Sequence, residues 1–302
     1  MRRYHIALAA VALAAASFFI FGPASDKQRF HGKPLSFWLD QLDTGTNREA
    51  ATAAVRAIST NALPALLRLV GTKPTDLDEI VGALREDYDV QFAHLDAEGA
   101  RARGVAGFRA LGPAGLGGAP ALIKLADDFQ FRADAEKSLL AIGPGAVNVL
   151  IDALGHDDTK ISAANALIKF GKLAAPAIPA LITRLGDTNV NVREQAARSL
   201  GAIGEDPILV VPALVENLRD PQFRVRVAAM QALGRFGNRA EGAVEALLTL
   251  ATNSSYEERL AAGAALKKID PEVAASKVGP FLLGDPKLVS PVPPAPPPIY
   301  SH

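Results

Sequence analysis

The sequence predicts an all-α fold, a right-handed α-solenoid of about seven helix pairs over residues 30–285, and three observations predict it. Apolar residues recur at three- and four-residue steps in one segment after another. Each such segment stops on a glycine or a stand-in for one. The stops Gly171, Gly204, Gly237 and Asp270 then settle into an interval of 33 residues.

One complete copy runs from Asp187 to Asp220. It opens with a turn, Asp187-Thr188-Asn189, that suits a helix start. Ala196, Ala197, Leu200 and Ile203 then share one helical face ahead of Gly204. After Pro207 a second stripe follows, Val211, Leu214, Val215 and Leu218, with Pro212 placed in a tolerant first turn. Aligned on Gly204, the same unit ends at Ser59, Gly112, Gly143, Gly171, Gly204, Gly237 and Asp270. One and four residues before each end the side chain is large and apolar, and eight before it is always Ala or Gly. Small residues there let helices approach closely.

Eleven residues before each end stands a cation: Arg48, Arg101, Arg132, Lys160, Arg193, Arg226 and Arg259. Asp187 and Asp220 precede Arg193 and Arg226 by six residues, so an inter-repeat ladder is expected in which a turn aspartate caps one helix and accepts from a guanidinium, Asp220 from Arg226. A row of cations for an anionic ligand is the other reading of the same residues.

The pattern of residues 187–204, Asp-x-x-Val-x-Val-Arg-x-x-Ala-Ala-x-x-Leu-Gly-x-Ile-Gly, resembles a short HEAT repeat of the bilin-lyase-like group. The resemblance covers residues 34–285 and implies stacked helix pairs. On activity it is almost silent, because a solenoid hosts many unrelated functions.

Composition narrows the function classes. Thirty-two Lys and Arg against thirty-two Asp and Glu give zero formal charge, which disfavours a nucleic-acid binder. With no cysteine in the chain, disulfides, thiolate metal sites and cysteine nucleophiles are excluded. No His-Glu pair, Gly-x-Ser-x-Gly elbow or His-Glu-x-x-His pair occurs, and no cofactor or metal is expected. Gly112–Gly118 lacks the Lys-Ser/Thr of a phosphate loop and is expected to be an inter-helix turn.

Outside the repeats, residues 1–25 combine Arg2 and Arg3 with an apolar run over 6–21, expected to be a signal peptide or an N-terminal membrane anchor. Export to the periplasm or another extracytoplasmic space, free or anchored, follows from either. His31–Leu42 is expected to be a cap helix carrying Trp38, and residues 72–100 an acidic insertion around Glu86-Asp87-Tyr88-Asp89 and His94. Residues 286–302 are proline-rich, with Pro-x-x-Pro spacings at 291/294 and 294/297, and are expected to be a disordered tail of extended conformation.

The function these features indicate is a non-catalytic interaction scaffold of the cell envelope that binds a protein or peptide. A lyase or isomerase-type enzyme, or a subunit of one, is the alternative implied by the bilin-lyase resemblance. The expected partner surface is one register on the second helices, Arg68, Lys124, Asp152, Thr183, Glu216 and Thr249. Its signs are mixed, which suits a folded protein or peptide more than a uniformly charged polymer.

Overall fold

The computed structural model describes residues 28–45, 47–74, 97–253 and 255–278. The N-terminal apolar run, the acidic insertion over 75–96 and the proline-rich tail lie outside the described residues. The described chain is all-α apart from a two-residue antiparallel pair, β1 (Arg29–Phe30) with β2 (Lys33–Pro34). Two compact units are present, residues 1–184 and 185–302.

In the first unit the cap helix α1 (Leu35–Thr44) precedes four helix pairs. These are α2 (Arg48–Ile58) with α3 (Leu63–Val70), α4 (Ala97–Leu111) with α5 (Ala119–Leu125), α6 (Phe129–Ile142) with α7 (Gly145–Ala153), and α8 (Lys160–Phe170) with α9 (Ile178–Arg184). The second unit holds α10 (Val190–Ile203) with α11 (Pro207–Asn217), α12 (Phe223–Phe236) with α13 (Val244–Asn253), and α14 (Tyr256–Ile269) followed by the short α15 (Pro271–Val273). A π-type turn over Ala274–Val278 closes the described chain.

The repeat positions explain the core. The large residues four before each stop, from Val55 and Phe108 to Leu233 and Leu266, are all fully buried. So are the alanines eight before, Ala51, Ala135, Ala163, Ala196, Ala229 and Ala262. At Gly104, which takes that place in α4, an added Cβ would lie 2.9 Å from the Val70 backbone nitrogen. Small residues at this register are therefore required by the helix opposite, as close packing demands.

The stops themselves are backbone devices. Ser59, Gly112, Gly143, Gly171, Gly204 and Gly237 all have positive φ, between 52° and 95°. Only Asp270 differs, at φ −141°. Positive φ breaks the helix and redirects the chain, and glycine adopts it without Cβ strain. In four copies a 3₁₀ turn follows, Ser59–Ala62, Gly112–Gly118, Gly171–Ala177 and Gly237–Ala243.

Two boundaries differ from the sequence expectation. Helix α4 begins at Ala97, inside the segment assigned to the insertion. Its Ala97, Gly99 and Ala100 are buried, so residues 97–100 belong to the packed repeat. At the other end the cap begins before α1, where the Gln28 side-chain amide donates to the Asn61 carbonyl. In α1, Leu35, Leu39 and Leu42 are buried on the expected face, and Trp38 packs edge-on against Phe30 and Phe37.

One apolar stretch, Lys160–Arg184, has the length and mean hydropathy of a membrane span. It is broken at Gly171 by a φ of 52° and carries Pro176 in the turn, so it folds back as α8 and α9. Ala163, Leu167, Ala177 and Leu181 from both arms are fully buried in the unit's core.

Candidate functional site

The seven cations sit in the first turn of each first helix, and the structure redefines what they bind. Arg193 Nη1 donates to the backbone carbonyl of Asp187 at 2.9 Å and Arg226 Nη1 to that of Asp220 at 2.6 Å. Arg48 and Arg132 do the same with Leu42 and Ala126, also six residues back, at 3.2 and 3.0 Å. The hydrogen-bond acceptor in the cation's own turn is thus a main-chain oxygen, while the turn aspartate acts on its cation through charge, as Asp187 does on Arg193. A carbonyl is present whatever residue occupies the turn, which is why the carboxylate spacing slips between copies while the cation does not.

The carboxylates come from one repeat further on. Asp220 accepts from Arg193 Nε at 2.6 Å and from its Nη2 at 3.0 Å, a bidentate pair with 13% and 7% of the two side chains exposed. Glu258 accepts from Arg226 Nε at 2.5 Å, and Asp134 from Arg101 Nε at 3.2 Å. A planar fork of this kind fixes distance and angle together. Asp187 is used differently, its Oδ1 accepting from the Asn189 amide at 2.8 Å in a side-chain turn.

Lys160 interrupts the pattern. Its ammonium lies 2.8 Å from Asp157, and the neighbouring Thr159 hydroxyl donates to the Ala153 carbonyl at 3.0 Å, six residues back. Arg259 places its guanidinium 6.0 Å from the centroid of the Tyr256 ring.

The electrostatics follow this geometry. Burial alone would raise the Asp220 carboxyl, but hydrogen bonds from Arg193 and the Gln222 amide, with the charges of Arg193 and Arg226, hold it below its ordinary value. For Glu258 the hydrogen bond from Arg226 is the main cause of a lowered value, reinforced by Ser255. Glu136 goes the other way: burial raises it, against smaller lowering effects of Lys169 and Arg132. Arginines already engaged by carboxylates and carbonyls are a poor receiver for an anionic ligand, so the geometry gives these cations a tying role.

The six residues of the expected partner surface are exposed. Of these, Lys124 and Asp152 line one groove of about 430 Å³ in the first unit, between α5, α7 and the turn leading to α8. Lys124 Nζ lies 3.6 Å from Asp158 in that turn, and Ile123, Val149 and Ala153 form the apolar part of the lining. His156, Asp158 and Thr159, outside the register read from the sequence, are brought into the same groove by the chain reversal before α8. The other stripe residues have local partners: Glu216 is 3.3 Å from Arg219, while Thr183 and Thr249 donate to the Pro179 and Glu245 carbonyls of their own helices, each at 3.1 Å. Arg68 stands exposed on α3.

Among the described residues no group of three or more His, Cys, Asp or Glu side chains converges as a metal site would require.

A family model and several solved structures match parts of this chain. A family model described as HEAT repeats matches residues 147–221 and 211–289. Comparison with curated proteins found no match. Among solved structures, an engineered protein is 21% identical with a TM-score of 0.41, covering 78% of this chain and 96% of its own. A designed armadillo repeat protein in complex with the peptide (KR)4 is 18% identical with a TM-score of 0.42, covering 69% and 99%. A set of computationally designed armadillo repeat proteins for modular peptide recognition is represented at 16% identity and a TM-score of 0.41, covering 78% and 100%. The matched residues, 147–289, begin in α7 and run beyond the last described helix, and over this stretch the chain is similar to HEAT repeats.

Proposed function

We propose that the protein is an interaction scaffold of the cell envelope, exported or anchored through its N-terminal segment, that holds a protein or peptide partner on the second helices of its repeats. The observation that carries this reading is the groove of about 430 Å³ in which Lys124, Asp152 and Asp158 present both signs of charge beside Ile123, Val149 and Ala153. An apolar floor with opposed charges at its rim suits a partner that brings its own mixed pattern, since complementary potentials set register and orientation. It does not suit a polyanion, which would meet the two carboxylates.

The test uses the full chain with a photo-crosslinking residue at Val149, exposed to extract from the source membrane. One protein species captured at Val149, absent when the crosslinker replaces the exposed Asn238, and lost on Lys124→Glu with Asp152→Lys, is the expected result. Retention of a coloured small molecule with no crosslinked protein would overturn the scaffold in favour of a lyase-type activity. Fractionation of the same full chain with the cytosol would overturn the envelope assignment.

A further inference from the structure

We propose that the first-helix tips of the second unit form a binding row for a polyproline II segment, and that its occupant is the chain's own proline-rich stretch, Pro291–Pro298. The row does not involve the groove of the first unit and stands or falls separately from the scaffold reading.

The observation is a second periodicity at helix-tip positions, half-buried at Val190 and exposed at the two aromatic ones. Three residues before the ladder cation, at the first position of α10, α12 and α14, stand Val190, Phe223 and Tyr256. Phe223 is 50% exposed and Tyr256 54%, in a chain with only 6% aromatic residues. The same helix face is buried two turns further on, at Met230 in α12 and Gly263 in α14, so Phe223 and Tyr256 stand where that face leaves the core. In the first unit the same register holds Phe129, 86% exposed, with Glu98 and Asp157 at the equivalent places in α4 and in the turn before α8, so no such row forms there.

The pitch of this row fits one ligand class. In the second unit α10 packs on α12 and α12 on α14, in part through glycine and alanine. Packed helices lie about 8–10 Å apart. A polyproline II helix repeats every three residues at about 3.1 Å each, so it advances about 9 Å per turn. Every third residue of such a helix can therefore meet the next first-helix tip. Pyrrolidine rings stack on aromatic faces, and the conformation is already fixed in the free ligand, which lowers the entropic cost of docking.

The chain carries a matching segment. Pro291, Pro294 and Pro297 are spaced by three, the number and interval that Val190, Phe223 and Tyr256 require. The described chain ends at Val278, in a turn packed against α14 within the same unit. Residues 279–290 could extend up to roughly 40 Å, more than the length of α14 at about 1.5 Å per residue. Such a tether holds the ligand at an effective concentration on the order of millimolar, so a weak contact suffices.

The absence of native cysteine makes the test direct. A nitroxide on Ala295→Cys in the full chain should broaden the amide signals in the first turns of α10, α12 and α14. Adding Phe223→Ala and Tyr256→Ala should remove that broadening with the fold intact by circular dichroism, both side chains being exposed. Changing Pro291, Pro294 and Pro297 to Gly should remove it without touching the folded unit. Broadening that is absent, or that survives the double alanine variant, would overturn the proposal. So would broadening that appears equally in a mixture of isotope-labelled and separately spin-labelled chains, which would make a second copy the occupant.

Discussion

At φ 56° and ψ −140° Ser59 holds backbone that the same stop in other copies gives to glycine, as at Gly171 with φ 52° and ψ −132°. A Cβ in that region costs on the order of 1–3 kcal/mol, and a glycine there would return about 0.4–1 kcal/mol through the looser unfolded chain. Ser59→Gly should therefore stabilise by about 1 kcal/mol, read as a higher urea midpoint with unchanged slope. The ladder supplies a second comparison. Arg226→Ala strips the Glu258 carboxylate, 7% exposed, and the Asp220 carbonyl of a donor. Losing that donor should cost about 1–3 kcal/mol, Ser255 remaining as the other donor to Glu258. Arg239, in an exposed turn where it lies 5.3 Å from the Phe236 ring centroid, should cost about 0.5 kcal/mol or less on truncation to Ala. Equal losses of midpoint would mean that the Arg226 ties contribute nothing special. The cation position was legible in the sequence because it recurs in every copy. Its partner was not, because one acceptor is a main-chain oxygen and the other carboxylate moves from the turn at Asp220 to the helix at Glu258.

Helices of the second unit meet through backbone, and this packing sets what each element tolerates. A Cβ at Gly201 in α10 would lie 2.7 Å from the Ala232 Cα in α12, and α12 repeats the arrangement with a Gly234 Cβ 3.1 Å from the Ala265 Cα in α14. No flexible side chain can yield at the first of these contacts, so Gly201→Ala must push the helices apart. A cost of about 1–3 kcal/mol follows from overpacking. Gly242→Ala, with nothing within 4 Å of the new methyl and no positive φ, should be neutral or slightly stabilising. Thermal unfolding of the two variants side by side checks the contrast. At this scale the sequence was most readable: three- and four-residue periodicity placed each buried face, and the Ala or Gly eight before each stop marked the close approach seen at Gly104, whereas Gly201 and Gly234, three before their stops, follow no invariant. Two-residue strands have no period to detect, and the start of α4 at Ala97 was hidden by the acidic run that precedes it. The aromatic first positions of α12 and α14 were overlooked because a search for buried faces passes over exposed ones.

For the molecule as a whole, the expected partner surface was legible as a register but not as a site. Six residues align on paper; Lys124 and Asp152 share a groove whose other polar walls come from a chain reversal that periodicity does not encode. The two units should also differ in a property no sequence pattern displays, their response to acid, through three carboxyls. In the second unit the Asp220 and Glu258 carboxyls are held below their ordinary values of 3.8 and 4.5. A lowered carboxyl binds its proton less readily folded than unfolded, so its contribution is complete above the unfolded value and is lost as pH falls through the folded one. In the first unit burial raises Glu136 above 4.5, so its ionised form opposes folding near neutrality. That penalty is relieved as pH falls through the raised value. Hydrogen exchange corrected for intrinsic rates should then show protection in residues 185–278 falling more steeply from pH 5 to pH 3 than in residues 28–184. Asp220→Asn with Glu258→Gln should flatten the acid limb of the second unit while lowering its protection at pH 7. Glu136→Gln should raise protection of the first unit at pH 7, with the gain vanishing toward pH 4. Parallel loss of protection in both units, unchanged by these substitutions, would show that the carboxyls respond to acid alike in the folded and unfolded chain.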